Sequence, residues 1–181
     1  MRWSRFAFES IHVFPARKGI PLLTPDQKQL LKTWIAAGLW MVLIAIESTD
    51  WLSSQHTSRI LYPILHFLFG LNRARFEVWH HYIRKLGHFV GYFTLSFFLF
   101  RAWRATLRLP WAPRWALRWS TTAFFMSALV ASLDEWHQTF LPSRTGAISD
   151  VMLDSCAALT AQVLLFVFLT WKPRGMSAAG D

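Results

Sequence analysis

The sequence predicts an all-α polytopic membrane bundle of four transmembrane helices, with a short interfacial helix between the first and the second. Three observations carry that expectation. Of 181 residues, 54% are hydrophobic and 16% charged, against about 25% charged in soluble domains. Four runs hold no formal charge: Thr33 to Ile46, Leu86 to Phe100, Trp119 to Leu133 and Ser155 to Trp171, of 14, 15, 15 and 17 residues. The net charge of +9 is dispersed over the segments between those runs. Dispersed Lys and Arg suit topology and lipid headgroups; a nucleic-acid surface needs one basic stripe. The expected partner is therefore the lipid bilayer, and nucleic acid is not.

The chain divides into an arm at 1–30, a transmembrane domain at 31–172 and a disordered tail at 173–181. Pro15, Pro21 and Pro25 mark the arm as irregular. It has no continuous apolar stretch of the kind a cleaved signal needs, so the first span is expected to act as the insertion signal. A span takes about 20 residues at 1.5 Å each, and every charge-free run falls short. Each helix must extend into polar flanks: Glu47 and Asp50 on the first, Arg84 and Lys85 on the second, Asp134 and Glu135 on the third, Asp150 and Asp154 on the fourth.

Between the first and second spans, Ile60 to Leu71 is apolar but only 12 residues long and contains Pro63 and His66. It is too short to cross and reads as an interfacial or re-entrant segment. Pro142 is expected to stop the third helix, Gly146 to permit a turn, and Ser149 to cap the fourth. Most tryptophans fall near run ends, Trp119 and Trp136 among them, as interfacial belts require; Trp40 is expected to pack inside. The single cysteine, Cys156, reads as a small buried hydrophobe. His12, His56, His80 and His81 fall in polar stretches and are expected to be solvated.

Orientation follows from Lys and Arg. Residues 1–32, 101–118 and the tail hold 13 of them; the opposite connecting segments hold 6. The richer side is cytoplasmic. The protein is thus expected in the inner (plasma) membrane, multi-pass, with both termini cytoplasmic.

The polar residues left at the outer ends have helical spacing. Lys85, His88 and Tyr92 share one stripe, as do Asp134 with Gln138 and Asp150 with Asp154. By depth, His88, Asp134, Glu135 and Asp154 fall at one level, with Lys85, Gln138, Arg144 and Asp150 above. Ionisable groups in hydrocarbon are costly and often mark a functional site. Lys85 and Arg144 are candidates to hold a phosphate or carboxylate. His88, Asp134 and Glu135 are candidate acid–base residues, Tyr92 and Gln138 would orient, and Asp150 and Asp154 would set the charge. The carboxylates with His88 are also a conceivable ligand set for a hard or borderline divalent ion, but no spacing matches a standard ligand or cofactor motif, so neither a metal nor a cofactor is expected. Whether the site catalyses anything is open. Two other readings stand beside it: a scaffolding subunit whose polar groups only pair helices, and an ion-coupled transporter, for which the polar path below the cluster is thin.

At these residues the chain resembles the VanZ-like family of bacterial membrane proteins. The resemblance lies in Arg84-Lys85-Leu86-Gly87-His88-Phe89 with Tyr92, in Ser132 through Arg144 with its Asp134-Glu135 pair, in Ser149-Asp150-Val151, and in Ser53-Ser54-Gln55. It implies a small polytopic envelope protein, with a link to glycopeptide resistance through the family's name-giving member; the polar residues themselves lead to the expectation of an outward-facing pocket that binds, or binds and modifies, an anionic envelope lipid or wall precursor. The chain departs from the family pattern at Ser143, usually Gly, and at Asp154, usually Asn.

Overall fold

The structure is a computed structural model that describes residues 23–49, 53–107, 113–142, 144 and 146–171. The N-terminal arm to residue 22, the tail from 172, and Asp50, Trp51, Trp111 and Ser143 lie outside them. The described residues form five helices and no strand: α1 (Pro25–Glu47), α2 (Ser54–Phe69), α3 (Arg73–Thr106), α4 (Leu117–Gln138) and α5 (Ile148–Thr170). Two of them, α1 and α5, are long and apolar enough to cross a membrane.

α1 begins at Pro25, inside the stretch expected to be irregular. The cause is local. Thr24 accepts from the Gln27 backbone N–H while the Gln27 side chain accepts from the Thr24 N–H, a reciprocal cap with Pro at the first helical position. α2 is capped by Ser53 and closed by Gly70 at φ 63°, a left-handed position that favours glycine. α3 starts on Asn72, whose side chain accepts from the Arg75 N–H, and runs 34 residues, about 51 Å at 1.5 Å per residue. That exceeds a hydrocarbon core of about 30 Å. Its polar first turns, from Arg73 to Lys85, therefore project beyond its apolar part.

Contacts set the directions. Trp40 Nε1 donates to the Gly91 carbonyl and Trp34 Nε1 to Thr106 Oγ1, so α1 and α3 are antiparallel. Tyr92 meets Asp134 while Trp103 meets Met126, so α3 and α4 are antiparallel. Lys85 meets Asp150, His88 meets Asp154 and Ser96 meets Gln162, so α3 and α5 run parallel. The core lies between these four helices. Ala123, Ala131, Ala157, Ala158 and Ala161 are buried there; small side chains let backbones approach closely. α2 sits apart and packs on the first turns of α3, through Tyr62 against Phe76 and Thr57 against His80. The outer faces are apolar, with Leu39, Phe125, Leu129 and Phe168 exposed.

Several expectations are corrected. Trp119 is only 1% exposed and packs edge-on against Phe100, because it lies in the first turn of α4 on the side facing α3. Cys156 is exposed: two residues after Asp154, it sits about 200° around the helix from that buried face. Ser149 does not cap α5; the first residue outside the helix is Ala147, and no side chain of its own caps it. Instead Glu135 Oε2 accepts the Ala147 N–H at 2.9 Å. Gly146 makes this possible by close approach. A Cβ there would run into the Glu135 carbonyl oxygen and come within 2.6 Å of Thr139 Cγ2.

Gly146→Ala should therefore destabilise the fold by about 1–3 kcal/mol, the usual cost of overpacking, whereas Gly38→Ala, with nothing within 4 Å, should be neutral or gain up to about 1 kcal/mol. Thermal unfolding of the two variants in detergent checks this.

Candidate functional site

Helical spacing delivers the polar side chains of three helices to one end of the bundle. α5 presents Asp150 and Asp154 one turn apart, and α3 presents Lys85 and His88 in the same register. Lys85 Nζ forms an ion pair with Asp150. One turn deeper, His88 Nδ1 donates to Asp154 Oδ2 at 3.4 Å. Asp154 is fully buried, and its other oxygen, Oδ1, has no hydrogen-bond partner.

α4 completes the arrangement. Asp134 Oδ2 accepts from Tyr92 Oη at 3.1 Å and from Gln138 Nε2 at 3.3 Å. Gln138 Nε2 also donates to Ser48 Oγ at 3.3 Å, which ties the network to the end of α1. Glu135 is 3% exposed; one oxygen caps α5, and Oε1 lacks a partner. One ligand atom each from His88, Glu135 and Asp154 lie within 4.8 Å of one another.

All nine residues singled out in the sequence gather here, at the levels their spacing implied. Their partners differ in two respects. His88 bonds to Asp154, while Asp134 is engaged by Tyr92 and Gln138. Arg144 reaches across the bundle, donating from Nη2 to the Glu47 carbonyl at 2.6 Å and the Thr49 carbonyl at 2.9 Å. It anchors the α4–α5 connection to the end of α1.

Above this floor lies an open cavity of about 430 Å³, walled by Ser54 and Ser58 of α2, by Arg73, Glu77, His80, His81, Arg84, Lys85 and His88 of α3, and by Gln138, Arg144 and Asp150. Counting Lys, Arg, Asp and Glu, four cations face two carboxylates, an excess of two positive charges. A second cavity of about 270 Å³ shares His80, Arg84, His88 and Arg144 with it and adds Glu47, Thr57, Leu61, Ile83 and Gly87.

Arg73, His80 and His81 are not among the residues expected to wall the site. Their signal was present. Glu77, His81, Arg84/Lys85 and His88 recur at three- and four-residue steps, which continues the stripe outward along α3. His80, expected in solvent, is 7% exposed. It stacks on Phe76 and shares a 3.0 Å hydrogen bond between Nε2 and Thr57 Oγ1. It lies outside the apolar part of α3, and burial, then the neighbouring Arg84, hold its pKa below the usual 6.5.

His80 should thus be neutral at pH 7. Its contribution to stability should be full above pH 6.5 and lost as the pH falls, since protonation is easier in the unfolded chain. The imidazole NMR resonances of His80 should titrate with a midpoint below the usual 6.5; an equal or higher midpoint would contradict the burial argument.

No curated protein and no solved structure matches the chain. Residues 33–169 match the VanZ/LLP1 family, a span that takes in the apolar helices, the floor and the cavity walls, and the chain is a membrane protein belonging to that family.

Proposed function

We propose that the protein binds an anionic envelope lipid, or a lipid-linked wall precursor, by its headgroup in the cation-walled cavity. The observation that carries this reading is the charge of the 430 Å³ cavity. Arg84, Lys85 and Arg144 supply charge-assisted donors suited to phosphate or carboxylate. The adjoining cavity, with Leu61, Ile83 and Gly87, suits the apolar beginning of the same molecule, which favours a lipid over a free anion. Chemistry on the headgroup, if the protein performs it, belongs to His88 with Asp154 behind it. Asp134, Tyr92 and Gln138 hold the adjacent wall, and Glu135 and Asp150 balance its charge.

This reading places α1, α3, α4 and α5 across the inner membrane and α2 along its outer surface. The antiparallel relation of α1 and α3 supports it, because a crossing α2 would leave them parallel. α2 also carries outward apolar residues, with Phe67 88% exposed, as an interfacial helix does. With the richer basic side cytoplasmic, the cavity opens outward.

A second reading is favoured by the pairings themselves. Lys85–Asp150, Tyr92–Asp134 and Gln138–Ser48 would also serve a scaffold whose polar groups only lock helices.

Native mass spectrometry of protein taken from nanodiscs of mixed phosphatidylglycerol and phosphatidylcholine separates the two. The wild type should retain phosphatidylglycerol, and the double variant Arg84→Gln/Lys85→Gln should retain at least fivefold less at unchanged protein yield. Equal retention with a falling yield would favour the scaffold. The topology has its own check. In a Cys156→Ser background, a membrane-impermeant maleimide should label Arg59→Cys on intact spheroplasts, and Ser177→Cys only after permeabilisation.

A further inference from the structure

We infer that His88, Glu135 and Asp154 form a binding site for one divalent metal ion at the floor of the bundle. The inference stands apart from the headgroup reading and does not require it. One potential ligand atom from each residue lies within 4.8 Å of the other two. Ligands around a metal at 2.0–2.2 Å stand about 3–4 Å apart, so small side-chain rotations close the set. The three residues come from three different helices, α3, α4 and α5. Glu135 is fixed by the Ala147 N–H on its second oxygen, and the backbone there is locked by Gly146.

A second observation points to a ligand, beyond the clustering itself. Asp154 Oδ1 and Glu135 Oε1 are both enclosed and both without a hydrogen-bond donor, on side chains that are 0% and 3% exposed. Buried carboxylate oxygens are ordinarily satisfied, and these two lie on neighbouring residues of one group. The cations nearby have other partners. Lys85 is paired with Asp150 one turn outward, and Arg144 is turned toward the Glu47 and Thr49 carbonyls. A divalent cation would neutralise both carboxylates at once and take up the oxygens that no protein donor reaches.

The donor set indicates the class of ion. One imidazole and two carboxylates suit a borderline-to-hard divalent metal such as Zn²⁺ or Mn²⁺; no thiolate is present to favour a softer one. Three protein ligands leave coordination positions for water or for a bound anion. His88 also lines the cavity above the floor, so an anion held there would lie beside the ion.

The test uses the full chain purified in detergent, stripped with chelator and then loaded separately with Zn²⁺ and Mn²⁺. Metal analysis after desalting should find about one ion per chain for at least one of the two metals in the wild type and in Cys156→Ser. His88→Ala, Glu135→Gln and Asp154→Asn should each weaken binding at least tenfold. For wild type, Mn²⁺ titration followed by electron paramagnetic resonance, and Zn²⁺ titration followed by thermal unfolding, give readouts independent of whether the variants fold. Loss of the free-Mn²⁺ signal at one equivalent, or a rise in melting temperature with Zn²⁺, supports the site. Wild-type protein that leaves both ions free, or variants that fold and hold them as tightly as wild type, would overturn it.

Discussion

A carboxylate sealed inside an apolar bundle has to be answered by its neighbours, and Asp154 imposes that demand on this fold. An uncompensated buried charge costs several kcal/mol. The answer fixes the packing of α3 against α5. Lys85–Asp150, His88–Asp154 and Ser96–Gln162 are separated by 65, 66 and 66 residues, so one parallel register satisfies all three. Moving α5 by a single residue would turn it by about 100° and carry its acids away from α3. The buried alanines Ala157, Ala158 and Ala161 then become a requirement, since larger side chains would hold the paired groups apart.

Much of this was legible in the sequence. Charge-free runs locate the apolar parts of the long helices, and three- and four-residue spacing places Lys85, His88, Asp150 and Asp154 on facing stripes. That information is local, and periodicity carries it. What escaped depends on contacts between distant segments. Arg144 finds the Glu47 carbonyl 97 positions away and Gln138 finds Ser48 90 positions away; no spacing rule encodes either. His80 reads as solvated until α2 folds over it. Glu135 reads as a candidate acid, and only the tertiary structure reveals it also as the acceptor that starts α5. The start of α1 is a different kind of miss, since Thr24-Pro25 and Gln27 carry a legible capping signal beside the prolines that suggested irregular chain.

The site is layered by charge. Its outer wall holds more cations than acids, while its floor sets Glu135, Asp154 and Asp134 around one histidine. Each layer comes from a different stretch of the same helices. On α3, Arg84 and Lys85 face the cavity and His88 the floor; on α5, Asp150 and Asp154 divide in the same way. The matched repeat of one helical turn therefore builds two electrostatic environments from one interface, and a change in helix register would disturb both.

The walls are unequal in their attachment. Arg144 and Gln138 bind the α4–α5 connection and α4 to the end of α1, which makes three sides of the rim a single braced frame. Among the described residues, α2 packs chiefly along the first turns of α3. If the occupant arrives with its acyl chains attached, it need not leave the bilayer to enter. On the proposed function, the seam between α2 and the braced frame, bordered by Leu61 and Ile83, would be a sideways doorway through which a head group slides in while its tails remain in the surrounding leaflet.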